Sequence, residues 1–166
     1  DAEVEKTDQK LQGIVLADSF TSSFRPITWS KPKALLPVVN VPMIQYTIEF
    51  LAQNGVEEIF VFCVWHANMV QDYFKSYKSS ITIRCISSTS CLSAGDALRE
   101  LDSMGIIRSD PFILISGDVI ANIDLQKAID FHKLKRKSDN NAIMTTILKP
   151  ISKNTGIKPI LDDLIV

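Results

Sequence analysis

Residues Leu16 to Val38 read L-A-D-S-F-T-S-S-F-R-P-I-T-W-S-K-P-K-A-L-L-P-V. This is the layout of a phosphate-cradling loop between a strand and a helix. Such loops use glycines, because only bare backbone approaches a phosphate closely and reaches positive φ. Here Asp18, Ser19 and Thr21 occupy the loop, and it contains no glycine. The chain has the layout of a nucleotide site without the backbone that would use it. Lys33, just past the loop, has two readings: a partner for a phosphate, or a solvated lysine in a turn.

Two other segments have residues suited to chemistry. In Ile115-Ser116-Gly117-Asp118-Val119 an aspartate directly follows an apolar run. An aspartate so placed can hold Mg²⁺, which takes one or two carboxylates together with substrate phosphates. It can equally cap a turn. In Leu92-Ser93-Ala94-Gly95-Asp96-Ala97-Leu98, small residues open a helix. Ser93 and Gly95 would let a base or sugar approach, or would let the helix pack closely on a sheet. Asp96 suits the helix dipole but would repel an incoming phosphate.

Composition narrows the field. The chain has 166 residues, 46% apolar and 22% charged, with a formal net charge of −1. That is ordinary for a globular domain, and no global field draws in nucleic acid or an anionic membrane. There is no apolar run of about 18 residues to span a bilayer. Cys63, Cys85 and Cys91 are odd in number and form no C-x-x-C pair. Cys63, in the run I-F-V-F-C-V, reads as a buried apolar thiol, and the set fits a reducing, cytosolic compartment rather than a zinc site. His66 and His132 have no neighbouring ligand or triad partner and read as surface histidines. Residues 133–137 read as a solvated basic helix end. Trp29 and Trp65 are either core or interface residues.

Short apolar runs alternate with amphipathic stretches. Strands are expected at Gln12 to Ala17, Glu58 to Val64, Ile81 to Ile86, Phe112 to Ser116 and Ala142 to Leu148. Helices are expected at Pro42 to Asn54, Ala67 to Tyr77, Gly95 to Met104 and Leu125 to Lys137, with Gly55 a stop for the first. The apolar run at Glu58 to Val64 is continuous rather than alternating, which suggests burial on both faces of a mainly parallel sheet. The fold class is α/β: a doubly wound, Rossmann-like sheet with helices on both faces. Ligands of such sheets bind beyond the carboxyl ends of the strands. The first loop, Gly117-Asp118 and Ser93 to Gly95 should therefore share one rim. Residues 1–10 read as a flexible polar lead-in and 11–166 as one domain. Residues 151–159 read as a loop. Asp162 to Val166 looks like a strand just begun, as in a domain truncated at its C-terminal end.

In this order the three segments resemble the sugar-nucleotide pyrophosphorylase type of nucleotidyltransferase domain. That family opens with L-A-G-G-x-G-T-R-L-x-P-L-T-x-x-x-P-K-x-L-L-P-V. Leu16, Ala17, Pro26, Thr28, Pro32, Lys33, Leu35, Leu36, Pro37 and Val38 match it without a gap. The family's three glycines fall on Asp18, Ser19 and Thr21, and its catalytic arginine falls on Ser23. Arg25, two places on, is the nearest substitute. L-A-D-S-F at Leu16 to Phe20, F-V-F-C-x-W at Phe60 to Trp65, R-S-D at Arg108 to Asp110 and G-D-V-I-x-N-I at Gly117 to Ile123 are more specific. They resemble the epsilon-subunit family of the guanine-nucleotide exchange factor for translation initiation factor two.

That resemblance implies a non-catalytic domain without cofactor or metal. It would serve assembly with the other exchange-factor subunits, especially gamma, and with translation initiation factor two, in the cytoplasm. Exchange activity in that family lies in a C-terminal helical-repeat domain, beyond a left-handed β-helix. The rim of Asp18, Ser19, Thr21, Ser23, Arg25, Lys33, Ser93, Gly95 and Asp118 would be a remnant of a nucleotide site. Two alternatives stand beside this: a divergent nucleotidyltransferase using Lys33 and Asp118 with Mg²⁺, or a regulatory nucleotide or sugar-nucleotide site.

Overall fold

The computed structural model describes residues 10–18, 20 and 24–148. They fall into two compact units, one up to Ile123 and one from Asp124.

The first unit is built on four strands. β1 (Gln12–Leu16), β4 (Glu58–Cys63), β5 (Thr82–Ser87) and β6 (Ile113–Ser116) form a sheet in the order β5-β4-β1-β6. Every neighbouring pair is parallel. β1 lies inside the sheet, and all five of its residues are buried. That explains its continuous apolar run, since a strand flanked on both sides and covered on both faces has no solvent face.

Two helices cover opposite faces of the sheet. α1 (Met43–Gln53) packs on one face, where Leu51 and Val56 come so close to Gly13 that a Cβ there would lie 3.2 and 3.3 Å from them. On the other face Ile14, Leu16 and Phe62 cluster with Ala97 and Leu101 of α3 (Ala94–Ser103). α2 (Ala67–Ser76) follows β4. The doubly wound reading is correct, and most expected boundaries lie within one residue of those observed.

Between β1 and α1 the chain makes short turns at Ile27–Trp29 and Lys33–Leu35. A two-stranded hairpin follows, with β2 (Pro37–Val38) antiparallel to β3 (Val41–Pro42). Its two turn residues, Val39 and Asn40, have φ of 51° and 65°. Positive φ at both positions is the geometry of the tight turn that matches strand twist.

The second unit contains α4 (Leu125–Ser138), opened by Asp124, whose carboxylate accepts from the Gln126 N–H at 3.1 Å. Lys135, Arg136 and Lys137 close it, at the end where cations favour the dipole. The strand expected at Ala142 to Leu148 is not formed. These residues have no strand partner among the described residues, and Ile143 and Leu148 are 81% and 73% exposed. Apolar composition supplies strand propensity, but a strand persists only where a neighbour satisfies its backbone. The histidines also differ from expectation. Both are half-buried, His66 with φ 53° just before α2, and His132 hydrogen-bonded to Thr145 at 2.9 Å. The loop at residues 151–159 and the strand start at Asp162 to Val166 lie outside the described residues.

Candidate functional site

The strand order places a topological switch beside β1. The chain runs from β1 to β4 on one side, and β6 arrives on the other. Crevices at such switch points, beyond the carboxyl ends of the strands, are where open α/β sheets bind ligands. Leu16 and Ser116 are paired at this edge, and the Gly117 N–H donates to the Leu16 carbonyl at 2.7 Å. Gly117 is buried there. A Cβ on it would lie 3.3 Å from Ala17 Cα, Ala34 Cβ and the Leu16 oxygen. The glycine lets the turn after β6 seat directly against the end of β1 and the segment that follows Lys33.

Lys33 and Asp118 meet in this crevice. Lys33 Nζ lies 2.5 Å from Asp118 Oδ2, with side-chain exposures of 20% and 12%. The Ser116 hydroxyl also donates to Asp118. Burial pushes the Asp118 carboxyl up. The hydrogen bond and charge of Lys33, together with Ser116, outweigh it and hold the group below its ordinary value. Lys33 also sits 4.1 Å above the ring of Phe24, a cation–π contact that fixes the ammonium from a second side. Lys33 is not the solvated lysine of one sequence reading, since its side chain is largely shielded. Its partner is the aspartate.

Asp118 offers a magnesium ion one carboxylate, engaged here by the Lys33 ammonium and the Ser116 hydroxyl, and substrate phosphates and waters would have to complete an octahedron around the ion. Among the described residues no group of three or more His, Cys, Asp or Glu side chains could hold a metal.

Asp18 follows β1 where a phosphate loop would need a glycine. Its carboxylate turns across the sheet and accepts from the Val64 N–H, and from the Trp65 N–H at 3.4 Å. These amides lie just past the end of β4. Burial raises the Asp18 carboxyl above its ordinary value, against the pull of the two backbone donors and His66. The carboxylate that stands in the place of a loop glycine is therefore engaged by the protein's own backbone. The Val64 and Trp65 amides were missed from sequence, since any residue has an N–H and only the fold aims it.

Ser93 and Gly95 open α3, which follows β5. The Ser93 hydroxyl accepts from the Asp96 N–H at 3.2 Å and donates to the Asp96 carboxylate at 2.8 Å. Arg99 closes on the same carboxylate at 2.6 Å. The Ser93 and Arg99 hydrogen bonds hold the Asp96 carboxyl below its ordinary value. This is a helix cap of the S-x-x-D type, which satisfies backbone donors locally. A Cβ on Gly95 would meet only Arg99 and Ser93 atoms, at 3.7 Å and beyond. Arg25 is exposed, as are Trp29 and Trp65 at 68% and 71%. Ser19, Thr21 and Ser23 lie outside the described residues.

Thr47 secures the crevice from below. Its hydroxyl, fully buried on α1, donates to the Val119 carbonyl at 2.8 Å. The turn carrying Asp118 is thus tied both to β1 and to α1.

Comparison with known proteins agrees with this architecture. Residues 12–156 match the nucleotidyl transferase family. "Translation initiation factor eIF2B subunit epsilon" of Dictyostelium discoideum is 44% identical over 165 residues, covering 97% of this chain and 23% of that protein. Its namesake in Schizosaccharomyces pombe is 47% identical over 154 residues, covering 90% and 23%. The chain therefore spans under a quarter of the length of these two relatives. "Mannose-1-phosphate guanylyltransferase 1" of Arabidopsis thaliana is 29% identical over 126 residues, covering 74% and 35%. HddC from Yersinia pseudotuberculosis has a similar structure, with a TM-score of 0.64 at 21% identity over 73% of this chain and 53% of that one. A UDP-glucose pyrophosphorylase complexed with UDP-glucose gives 0.64 at 18% identity over 77% and 55%. With its motif framework, its parallel sheet and its switch-point crevice, this chain belongs to the nucleotidyl transferase family.

Proposed function

We propose that this chain is the nucleotidyltransferase-like domain of an epsilon-type subunit of the exchange factor for translation initiation factor two. In this reading it serves subunit assembly and regulation rather than nucleotidyl transfer. Its partners are the other exchange-factor subunits, gamma foremost, and translation initiation factor two, in the cytoplasm. The identities of 44% and 47% to proteins named as that subunit support the assignment.

The observation that carries the non-catalytic reading is Asp18. Where the family uses a glycine to bring backbone amides to a phosphate, this chain has a carboxylate bound to backbone amides of Val64 and Trp65. Lys33 and Asp118, which would meet phosphate and metal in an active relative, are bound to each other. Phosphate-stabilising donors are usually the largest catalytic contribution, roughly 3–4 kcal/mol for one donor. Losing several together removes the reaction. The test is pyrophosphate exchange into GTP, ATP and a GDP-sugar with Mg²⁺. The expected result is no turnover above a heat-inactivated control, together with co-purification of the chain with a gamma subunit. Turnover lost on Lys33→Ala or Asp118→Ala would overturn the reading.

A second reading rests on the survival of Gly117, Lys33 and Asp118 together at the switch point. There the crevice holds a nucleotide or sugar nucleotide as a regulatory ligand without turning it over. Calorimetric titration with GTP, ATP and a GDP-sugar, each with Mg²⁺, separates the two. Saturable heat lost in Lys33→Ala favours the regulatory site, and no heat favours protein contacts alone.

A further inference from the structure

At the opposite, amino-terminal end of the sheet there is a second concavity. Its volume is about 130 Å³, and Gln12, Glu58, Phe60, Arg84, Ile106 and Arg108 line it. The register explains the grouping. Gln12 pairs with Glu58 across β1 and β4, and Phe60 pairs with Arg84 across β4 and β5. All four lie on the sheet face covered by α3, at the end where the connection from α3 to β6 crosses with Ile106 and Arg108.

The walls are rigid. Gln12, only 4% exposed, donates to Glu58 at 2.7 Å and to the Ile106 carbonyl at 3.2 Å. Its side-chain oxygen accepts from the Arg108 and Ser109 N–H groups at 2.7 and 3.0 Å. One buried amide thereby fixes the backbone that carries Arg108. Arg84 is held through its Nε, 3.3 Å from Glu58 Oε1, which leaves its terminal NH₂ groups toward solvent. The Arg108 guanidinium is exposed and has no hydrogen-bond or ion-pair partner among the described residues. Phe60, 1% exposed, supplies the apolar side.

From this arrangement we propose that the cavity is a docking site for a carboxylate side chain of a partner protein, gripped by Arg108 and the free edge of Arg84. Two guanidiniums against one carboxylate leave a local charge of +2 − 1 = +1, which a single anion neutralises. A planar carboxylate matches the fork of an arginine bidentately. Glu58 stays in the wall and opposes a dianion such as phosphate, which selects the carboxylate. The Phe60 ring and Ile106 suit the short apolar stem of a glutamate. Because the backbone of Arg108 is already fixed, little ordering is required on binding. The site lies about 13 Å along β1 from the switch-point crevice, at about 3.3 Å per residue, and does not depend on what that crevice does.

The test uses the intact chain, with nitrogen-15 labelling of arginine to follow the Nε–H resonances. The probes are an N-acetyl-Glu-Glu-Glu-amide peptide and, separately, inorganic phosphate. The peptide is expected to shift the Arg108 and Arg84 resonances saturably. In Arg108→Ala, read from Arg84, its affinity is expected to fall at least about fivefold, and Arg108→Lys should recover only part of that. Arg108→Ala removes an exposed side chain and keeps both backbone bonds to Gln12, so the variant folds. No shift, an unchanged affinity in Arg108→Ala, or tighter binding of phosphate than of peptide would each overturn the proposal.

Discussion

The ammonium of Lys33 and the carboxylate of Asp118 lie 2.5 Å apart at the switch point, both largely shielded from solvent. A pair so placed is coupled, and the coupling is measurable. Lys33→Met should destabilise the chain by about 2–4 kcal/mol, because it leaves Asp118 buried and without its cation. Lys33→Met combined with Asp118→Asn should recover most of that loss. Urea unfolding of the two single variants and the double variant gives the cycle. Additive losses would show that the two groups act separately.

The two carboxylates of the rim should respond to pH with opposite sign. Asp118 is held below its ordinary value of 3.8, so its contribution is present above that pH and is lost as pH falls through the folded value. Asp18 is raised above 3.8, so stability is lost as pH rises through its folded value. Relative to the parent, Asp118→Asn should therefore lose ground as pH climbs toward about 4. Asp18→Asn should gain ground as pH climbs above it. Unfolding free energies of both variants between acid and neutral pH test the two slopes. Slopes of the same sign would contradict the assigned environments.

Two glycines near the rim should behave differently. Gly117→Ala places a methyl against β1 backbone at 3.3 Å and should cost about 1–3 kcal/mol. Gly95→Ala meets only the tips of flexible side chains, in the first turn of α3, and should gain about 0.5 kcal/mol. Thermal unfolding of the two variants side by side decides it.

Val39 holds φ of 51° with 86% of its surface exposed, in the turn between β2 and β3. A β-branched residue is poorly suited to that backbone and gains nothing from burial there. Val39→Gly should stabilise the chain by about 1 kcal/mol. A loss of stability on the same substitution would mean the side chain has a role the geometry does not reveal.

The centre of the sheet was readable from residues alone because β1 and β4 are buried on both faces. I-F-V-F-C in β4 and G-I-V-L in β1 leave little alternative, and Gly55 marks where α1 ends. The β2–β3 hairpin was not readable, because its turn is Val39-Asn40 rather than a glycine pair. Segment 142–148 misled for the complementary reason: its composition suits a strand, but composition cannot supply a pairing partner. At the site, the missing glycines were plain and the chemistry was not. Lys33 and Asp118 are 118 − 33 = 85 positions apart. Asp18 and the Val64 amide are 46 apart. Lys33 and Asp118 each suggested a ligand when read alone, and only the folded topology shows that they, like Asp18, have a partner within the protein.

The strand order has a consequence for how the chain is made. β1 precedes β6, one of its two sheet neighbours, by 113 − 13 = 100 residues in register. On the ribosome, β4 can dock first and leave the far side of β1 open, with its N–H and C=O groups unpaired. That open edge is a template for pairing with other chains until Ile113–Ser116 emerges to cover it. The crevice closes at the same moment, since Asp118 leaves the ribosome only two residues after that strand. Lys33 therefore waits for its partner until the turn after β6 is made, and a nascent chain stalled before Asp118 would present that ammonium without its carboxylate.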